Sequence, residues 1–237
     1  MGKALATQIA GLRQGDHVCC YYDNAADQSA VVVAYIDQGL KRSERCLYIA
    51  DDRSVAEVAG FLGGAGIDVR KQLSRGALVL ISSKEAHLKS GRFDCEAMLA
   101  LLNDAVEQAL NDGFKGLRAA GEMTWILSGA PGSNEALEYE ALMNEFYPKS
   151  RALGLCLYNR SRFEPDILDD MLRTHPRVMI DQRLRKNPFF EPPRVFFKRC
   201  SVKERFDHRV SQLASESGTT RGRLSPTSTQ SRRPKDR

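Results

Sequence analysis

The sequence predicts an α/β fold with a doubly wound, mostly parallel sheet. Short apolar runs, of the kind buried on both faces of a parallel sheet, alternate along the chain with longer segments of helical periodicity. The opening segments follow the order strand, helix, strand, which is the β-α-β unit of such a sheet. With 237 residues, of which 42% are hydrophobic, the chain can bury one substantial core, so we expect one domain followed by a tail.

Six strands and the helices between them are predicted from these patterns. The strands cover residues 17–22, 46–51, 78–82, 116–120 with 121–125 directly following, 154–158 and 177–181. The helices cover residues 27–40, 54–62, 94–111, 135–146 and 164–174. Ser54 and Asp94 are placed to cap their helices, and the glycines at 63–64 are expected to end the first of these. Residues 182–193, which contain three prolines, are expected to be irregular.

The end of the chain differs in composition from the rest. Residues 198–237 carry 11 Lys and Arg against 4 Asp and Glu, a net charge of +7, while residues 1–197 carry a net charge of −2. This distribution argues against a basic DNA-binding face on the folded part. Residues 211–231 include ten Ser and Thr and few large apolar residues, so they cannot bury enough surface to order themselves. We predict a domain at residues 10–197 and a basic, Ser/Thr-rich, largely disordered tail at residues 198–237.

Composition also bears on where the protein works. No apolar run reaches the roughly 20 residues that span a bilayer, and the first residues lack the long apolar core of a signal peptide. The six cysteines are scattered without a C-x-x-C pair, which favours reduced thiols over a disulfide framework. We therefore expect a cytoplasmic protein with no membrane partner.

The connection between the first predicted strand and helix lacks the residues that bind phosphate. It covers residues 23–29 and contains no glycine and no lysine, but two aspartates. A phosphate loop needs glycines so that backbone N–H groups can surround the phosphate oxygens, and a lysine that reaches the terminal phosphates. The segment therefore resembles a degenerate phosphate loop, which points to a binding or sensing domain rather than an ATPase.

Ligands of a doubly wound sheet bind outside the carboxyl ends of its strands. The side chains expected at that edge combine aromatic rings, carboxylates and an arginine, which suits a small, partly apolar ligand better than a polyphosphate. The candidate ligand-binding residues are His17, Cys19, Tyr21, Glu122, Trp125, Tyr158 and Arg160. Within this set we expect a single cavity, lined by His17, Tyr21, Glu122, Trp125 and Tyr158.

Each of these candidates also has a structural interpretation. His17 and Cys19 point to the same side of a strand, but such a pair is half of a zinc site, and the other histidines show no ligand spacing. Glu122 could be a general base if burial beside Trp125 raises its pKa, or it could be an ion-pair partner of an arginine. Trp125 itself could pack in the core. Since no nucleophile–base pair or metal cluster accompanies these residues, we expect no catalytic residue, no metal and no cofactor.

Four motifs, in this order, resemble those of the MEDS domain, the methanogen/methylotroph sensory domain named after the regulator of dichloromethane dehalogenase. They are Gly-Asp-His-Val-Cys at 15–19 with Tyr21, Gly-Glu-Met-Thr-Trp at 121–125, Leu-Cys-Leu-Tyr at 155–158 with Arg160 and Phe163, and Leu172 with Thr-His-Pro at 174–176. The resemblance covers roughly residues 10–195. It implies a RecA/KaiC-like, three-layer fold that has lost its phosphate loop. Asn159 departs from the family pattern, in which we expect an aspartate, so a charge-dependent role at this position is in doubt.

The resemblance also implies a role in prokaryotic signal transduction, with sensing of small hydrocarbon derivatives. We interpret the chain as a stand-alone sensory or regulatory binding domain, because residues after 193 show neither a helix-turn-helix nor a kinase module. It would then act through a partner such as a histidine kinase, an anti-sigma factor or a transcription regulator. Two alternatives stay open: a divergent RecA/KaiC-like ATPase with a site around Glu122, and a nucleic-acid-associated protein that uses the basic tail.

Overall fold

Seven strands form one sheet in the computed structural model, which describes residues 3–197. In chain order they are β1 (His17–Tyr22), β2 (Arg45–Ala50), β3 (Leu78–Ser82), β4 (Leu117–Glu122), β5 (Ala152–Asn159), β6 (Arg177–Ile180) and β7 (Arg183–Lys186). Their order in the sheet is β3-β2-β4-β5-β1-β6-β7, and all neighbours are parallel except β6 and β7. The predicted α/β fold with a mostly parallel sheet is confirmed.

Helices cover both faces of this sheet. The principal ones are α1 (Lys3–Ala10), α2 (Ala25–Lys41), α3 (Val55–Gly64), α4 (Val69–Ser74), α5 (Cys95–Asn111), α6 (Ala136–Phe146) and α7 (Pro165–Arg173). Side chains alternate between the two faces of each strand, so each face has its own core. We call the face packed against α1, α2 and α3 the first face, and the face packed against α5, α6 and α7 the second face.

Capping residues in the sequence correctly predicted where two helices begin. Ser54 accepts a hydrogen bond from the backbone N–H of Glu57, whose carboxylate in turn accepts from Ser54, so α3 begins with a capping box. Asp94 accepts from the N–H of Ala97 at the start of α5. α3 ends at Gly64, the second of the two glycines expected to end it and two residues beyond the predicted last helical residue.

Three further differences have identifiable causes. The strand predicted through residues 121–125 ends at Glu122, and Thr124–Ser128 forms a 3-10 turn that carries Trp125 into the core of the second face. Part of the segment predicted to be irregular, residues 182–193, forms β7. The hairpin joining β7 to β6 turns at Asp181 and Gln182, which both have positive φ, and without a glycine there the turn gave no signal. The helices α1 and α4 were not predicted.

Three further predictions concern the tail, membrane-spanning helices and the cysteines. The predicted tail, residues 198–237, lies outside the described residues, and the domain boundary at 197 stays a prediction. Among the described residues, no helix combines the length and the apolar character needed to cross a membrane. The cysteines at 19, 20, 46, 95 and 156 are all free thiols.

Gly154 is required where β5 passes beneath an aromatic ring. It pairs with His17 of β1, and the ring of Tyr147 lies directly over it on the second face. A Cβ atom at residue 154 would lie 2.1 Å from the hydroxyl oxygen of Tyr147. We expect Gly154→Ala to lower the free energy of unfolding by about 3 kcal/mol, because the buried ring of Tyr147 would have to be displaced.

Chemical denaturation monitored by circular dichroism measures this loss. Gly60→Ala is the matched control, because a Cβ atom there meets nothing within 4 Å on the exposed side of α3. It should leave stability unchanged or raise it by up to about 1 kcal/mol, since alanine is the better helix former. Equal stability of the two variants would contradict the close approach at Gly154.

Candidate functional site

The segments that follow β1, β2, β4 and β5 lie together at the carboxyl edge of the sheet, and Glu122 links several of them. Its Oε1 accepts hydrogen bonds from the Tyr48 hydroxyl (2.7 Å) and the Gln28 amide (2.8 Å). Its Oε2 accepts from the backbone N–H groups of Asp51 (2.7 Å) and Arg53 (3.0 Å). The carboxylate is buried and has four donors, so its partners are backbone and neutral side chains rather than the arginine expected from the sequence.

The exposed part of the same edge is occupied by ion pairs. Arg160 donates two hydrogen bonds to Asp23, at 2.8 and 2.6 Å, and holds the pKa of that carboxyl below its usual value. Arg162 forms an ion pair with Asp52 through one contact, between Nη1 and Oδ1. The guanidinium of Arg160 therefore already has a carboxylate partner within the chain.

The connection between β1 and α2 is short and capped. Only Asp23 and Asn24 separate the two elements. The side-chain oxygen of Asn24 accepts from the backbone N–H groups of Ala26 and Asp27, both at 3.0 Å. These are the N–H groups that a helix N-terminus would direct at a phosphate.

The prediction of one cavity lined by five residues is wrong, because the sheet separates its members. His17 starts β1, at the amino edge of the sheet, and lies in contact with Glu140 on the second face. Glu122 ends β4, at the carboxyl edge, and its carboxylate lies on the first face. The register of the parallel strands fixes both the edge and the face of each side chain, so these two cannot meet.

The remaining candidates are distributed over the second face. The rings of Tyr21 and Tyr158 lie 5.7 Å apart, and the Tyr21 hydroxyl donates to the backbone oxygen of Leu168. The Cys19 thiol lies 3.7 Å from the backbone oxygen of Arg177. All three candidate side chains are buried, and their ligand-binding role stays a prediction.

Trp125 lies in the core, as its alternative interpretation allowed. It is 1% exposed, and its indole stacks against the rings of His87 (centroids 4.6 Å apart) and Phe93 (4.5 Å). Burial lowers the pKa of His87 to about 4, so that imidazole is neutral at physiological pH.

A groove of about 810 Å³ opens on the second face, between α5 and the strands β2 and β3. Its floor is apolar, with Leu47, Val79, Ile81, Ala86, Met98 and Leu101 among the lining residues. His87 also lines it, so the groove is one side chain away from Trp125. A second, much smaller void of about 20 Å³ shares His87 and Met98 with the groove and extends to Cys156.

A buried polar cluster lies on the same face, and sequence reasoning missed it. His17 Nε2, Glu140 Oε2, Cys156 Sγ and His175 Nε2 all lie within 4.8 Å of one another. Glu140 Oε2 is 3.1 Å from the Nε2 atom of each histidine, and Cys156 Sγ is 3.4 Å from that oxygen and 3.5 Å from His17 Nε2. The contact of His175 Nε2 lacks hydrogen-bond geometry, so this nitrogen is buried with no hydrogen-bond partner in the described part of the chain. Histidine, cysteine and carboxylate are the zinc-binding side chains.

The environment of the cluster shifts the pKa values of three of its four groups. Burial lowers the pKa of His17, and the neighbouring His175 lowers it further. Burial alone would raise the pKa of Glu140, but the two imidazoles outweigh it and hold that pKa well below the usual value. Burial, together with the Glu140 carboxylate, raises the pKa of the Cys156 thiol.

No local pattern could have revealed this cluster. The four residues are contributed by β1, α6, β5 and the residues after α7, and the spacings between them are 123, 16 and 19 positions. Three of them, His17, Cys156 and His175, do fall within the motifs that carry the resemblance described above. The fourth, Glu140, lies in a helix whose pattern showed nothing unusual.

Comparison with protein families matches residues 16–176 to MEDS, the "MEthanogen/methylotroph, DcmR Sensory domain". Among solved structures, a KaiC-like protein from the hyperthermophilic archaeon Pyrococcus horikoshii is similar, with a TM-score of 0.52 and 12% sequence identity. The match covers 74% of this chain and 80% of that one, and at this identity it shows the fold alone. A comparison with curated proteins gave no match.

The burial of Trp125 predicts how the protein responds to its loss. Trp125→Ala should lower the free energy of unfolding by about 3–5 kcal/mol, since it leaves a cavity between His87 and Phe93. Phe189→Ala, at an aromatic residue that is 65% exposed, is the control and should stay within about 0.5 kcal/mol of the parent. A loss below about 1 kcal/mol at residue 125, measured by denaturant titration, would contradict the core position.

Proposed function

Because the chain belongs to the MEDS family of sensory domains, we propose that it binds a small, partly apolar ligand of hydrocarbon type and acts through a partner protein. Family membership supports a sensory or regulatory role. The groove on the second face is the observation that carries the proposed ligand class. Its volume suits a small molecule. Its apolar floor favours the binding of apolar groups over charged groups.

The polar groups at the margin of the groove give it some selectivity. Lys89, Ser90, Arg92 and Asp94 lie along one side, and His87 contributes a neutral imidazole to the wall. A ligand with an apolar body and one polar group would satisfy both parts. The carboxyl edge of the sheet is a weaker candidate, because Glu122 and Arg160 already have partners within the chain.

Six of the seven residues proposed from the sequence have separate roles in this hypothesis. Trp125 would respond to the ligand through its stacking on His87 rather than by contact. Tyr21, Tyr158 and Cys19 would contribute to the second-face core that transmits the change. Arg160 and Glu122 would hold the edge of the sheet in place.

The proposed partner is a histidine kinase, an anti-sigma factor or a transcription regulator. The alternative in which the chain binds nucleic acid depends on the tail, residues 198–237, outside the described residues. The ATPase alternative is disfavoured by the connection between β1 and α2. There Asn24 occupies the N–H groups of α2, and Asp23 and Asp27 place negative charge where phosphates would lie.

Toluene, as a small apolar probe, tests the groove directly. Trp125 is the only tryptophan, so its fluorescence should change saturably when toluene fills the groove and moves His87. Ala105 lines the groove, and Ala105→Phe should raise the dissociation constant at least tenfold by filling part of it. The matched control, Ala56→Phe on the exposed side of α3, should bind like the parent.

Two results would contradict the groove as the ligand site. One is the absence of any saturable change in emission up to the solubility limit of toluene. The other is equal binding by Ala105→Phe and the parent, since a probe in the groove must respond to the lost volume.

The proposal also predicts that nucleotide binding is negligible. Calorimetric titration with Mg-ATP should show a dissociation constant no tighter than about 1 mM, or roughly −4 kcal/mol of binding free energy. The physical reason is that neither glycine N–H groups nor a lysine is present in residues 23–29. Micromolar binding of Mg-ATP would favour the ATPase alternative.

A further inference from the structure

We propose that His17, Glu140, Cys156 and His175 form a zinc-binding site within the second face. The donors are two imidazole nitrogens, one carboxylate oxygen and one thiolate sulfur, a set that zinc accepts in four-coordinate protein sites. This inference does not rest on the proposed sensory function, because it follows from the four side chains alone.

Four of the six separations between the ligand atoms are close to those around a tetrahedral ion, and the other two are no longer than 4.8 Å. Zinc–ligand lengths of roughly 2.0–2.3 Å in a tetrahedron place neighbouring ligand atoms about 3.2–3.6 Å apart. Four of the separations in the cluster are 3.1, 3.1, 3.4 and 3.5 Å. The longer two involve sulfur, as the longer zinc–sulfur bond requires.

Outer hydrogen bonds turn both imidazoles so that Nε2 faces inward. The Asn144 amide nitrogen donates to the backbone oxygen of Thr174 (2.6 Å), so its Oδ1 is left to accept from His17 Nδ1 (3.1 Å). His175 Nδ1 lies 2.7 Å from the backbone oxygen of Met171, which can only accept. Both imidazoles therefore carry their proton on Nδ1, as the hydrogen-bond network assigns it, and present Nε2 lone pairs to each other and to Glu140.

With neither a proton nor a metal ion between them, the inward-facing atoms repel one another. Two nitrogen lone pairs and a carboxylate oxygen then face each other at 3.1 Å, and His175 Nε2 has no hydrogen-bond partner in the described part of the chain. An ion between them converts the repulsion into ligation. Tyr158 adds a second outer contact, because its hydroxyl donates to the other oxygen of Glu140 at 3.0 Å and fixes the orientation of the carboxylate.

Charge balance also favours a divalent ion. Glu140 and a Cys156 thiolate carry one negative charge each, and the two neutral imidazoles carry none, so Zn²⁺ makes the whole site neutral. A neutral site is what a buried position requires, since an uncompensated charge there is costly. His17, Glu140 and His175 are at most 1% exposed, so the ion would be enclosed by protein.

The enclosure indicates a structural ion rather than a catalytic one. With four protein ligands, no coordination position is left for water or substrate. The ion would tie together β1, α6, β5 and the residues after α7, which are brought to one point only by the complete fold.

Metal analysis of the purified full-length protein tests the proposal. After removal of bound metal with a chelator, the protein should take up one equivalent of Zn²⁺ in competition with a chromogenic chelator. Co²⁺ in its place should give the intense visible absorption of a tetrahedral site, together with a thiolate-to-cobalt band in the near ultraviolet. Zinc should also raise the melting temperature of the parent protein.

Five variants locate the site. Cys156→Ser and His175→Ala should weaken zinc binding by at least 100-fold and abolish the thermal stabilisation by zinc. Cys19→Ser and His87→Ala, which change a buried cysteine and a buried histidine outside the cluster, should bind zinc like the parent. Asn144→Ala removes the outer hydrogen bond to His17, together with the bond to the backbone oxygen of Thr174, and should weaken binding about 10–100-fold.

The following outcomes would overturn the proposal. A folded parent protein that takes up no zinc, or a Co²⁺ complex without a thiolate band, excludes the site even if the ligand variants fail to fold. Folded Cys156→Ser and His175→Ala variants that bind zinc as tightly as the parent would show that the ion lies elsewhere. Neither result depends on whether toluene binds in the groove.

Discussion

A carboxylate buried deep in the second face, that of Glu140, constrains much of what surrounds it. Burying a charge without compensation costs several kcal/mol, so the neighbouring elements must supply partners. The amino end of β1 and the residues after α7 each bring an imidazole, and β5 brings the hydroxyl of Tyr158 and the thiol of Cys156. α6 accordingly buries five of its eleven residues, because the helix that carries Glu140 must lie directly on the sheet.

The fold contains a second buried carboxylate, that of Glu122, which lies on the first face. The two carboxylates differ in the kind of group that surrounds them. Glu122 is satisfied by four donors, two from backbone and two from neutral side chains, and needs no cation. Glu140 instead faces two imidazoles and a thiol, which are groups that can also bind a metal. At the carboxyl edge, Glu122 and Arg160 already have partners within the chain. The polar groups that could bind a metal, those of the cluster around Glu140, lie on the second face.

The sequence predicted much of this architecture because the relevant signals are local. Apolar runs marked the six parallel strands, and Ser54 and Asp94 marked two helix starts by hydrogen bonds that reach only three residues. The hairpin of β7 was missed because Asp181 and Gln182 adopt positive φ without glycine, held by the pairing with β6. Period-two alternation predicted that His17 and Cys19 point to the same side of β1. It could not predict which helices cover that side. The sequence therefore gave no indication that α6 would bring Glu140 to His17.

The position of β1 has a consequence for how the chain reaches its native state during synthesis. β1 lies between β5 and β6, so the first strand to leave the ribosome pairs only with two of the last. Until β5 has been made, at about residue 159, β1 has no neighbour for its six buried residues, and its second neighbour, β6, is complete only at residue 180. Pairings this distant in sequence close slowly, and the incomplete chain exposes apolar surface meanwhile. The nascent chain therefore cannot complete its sheet until nearly the whole domain has been synthesised. During this delay its exposed apolar surface is available for binding by chaperones.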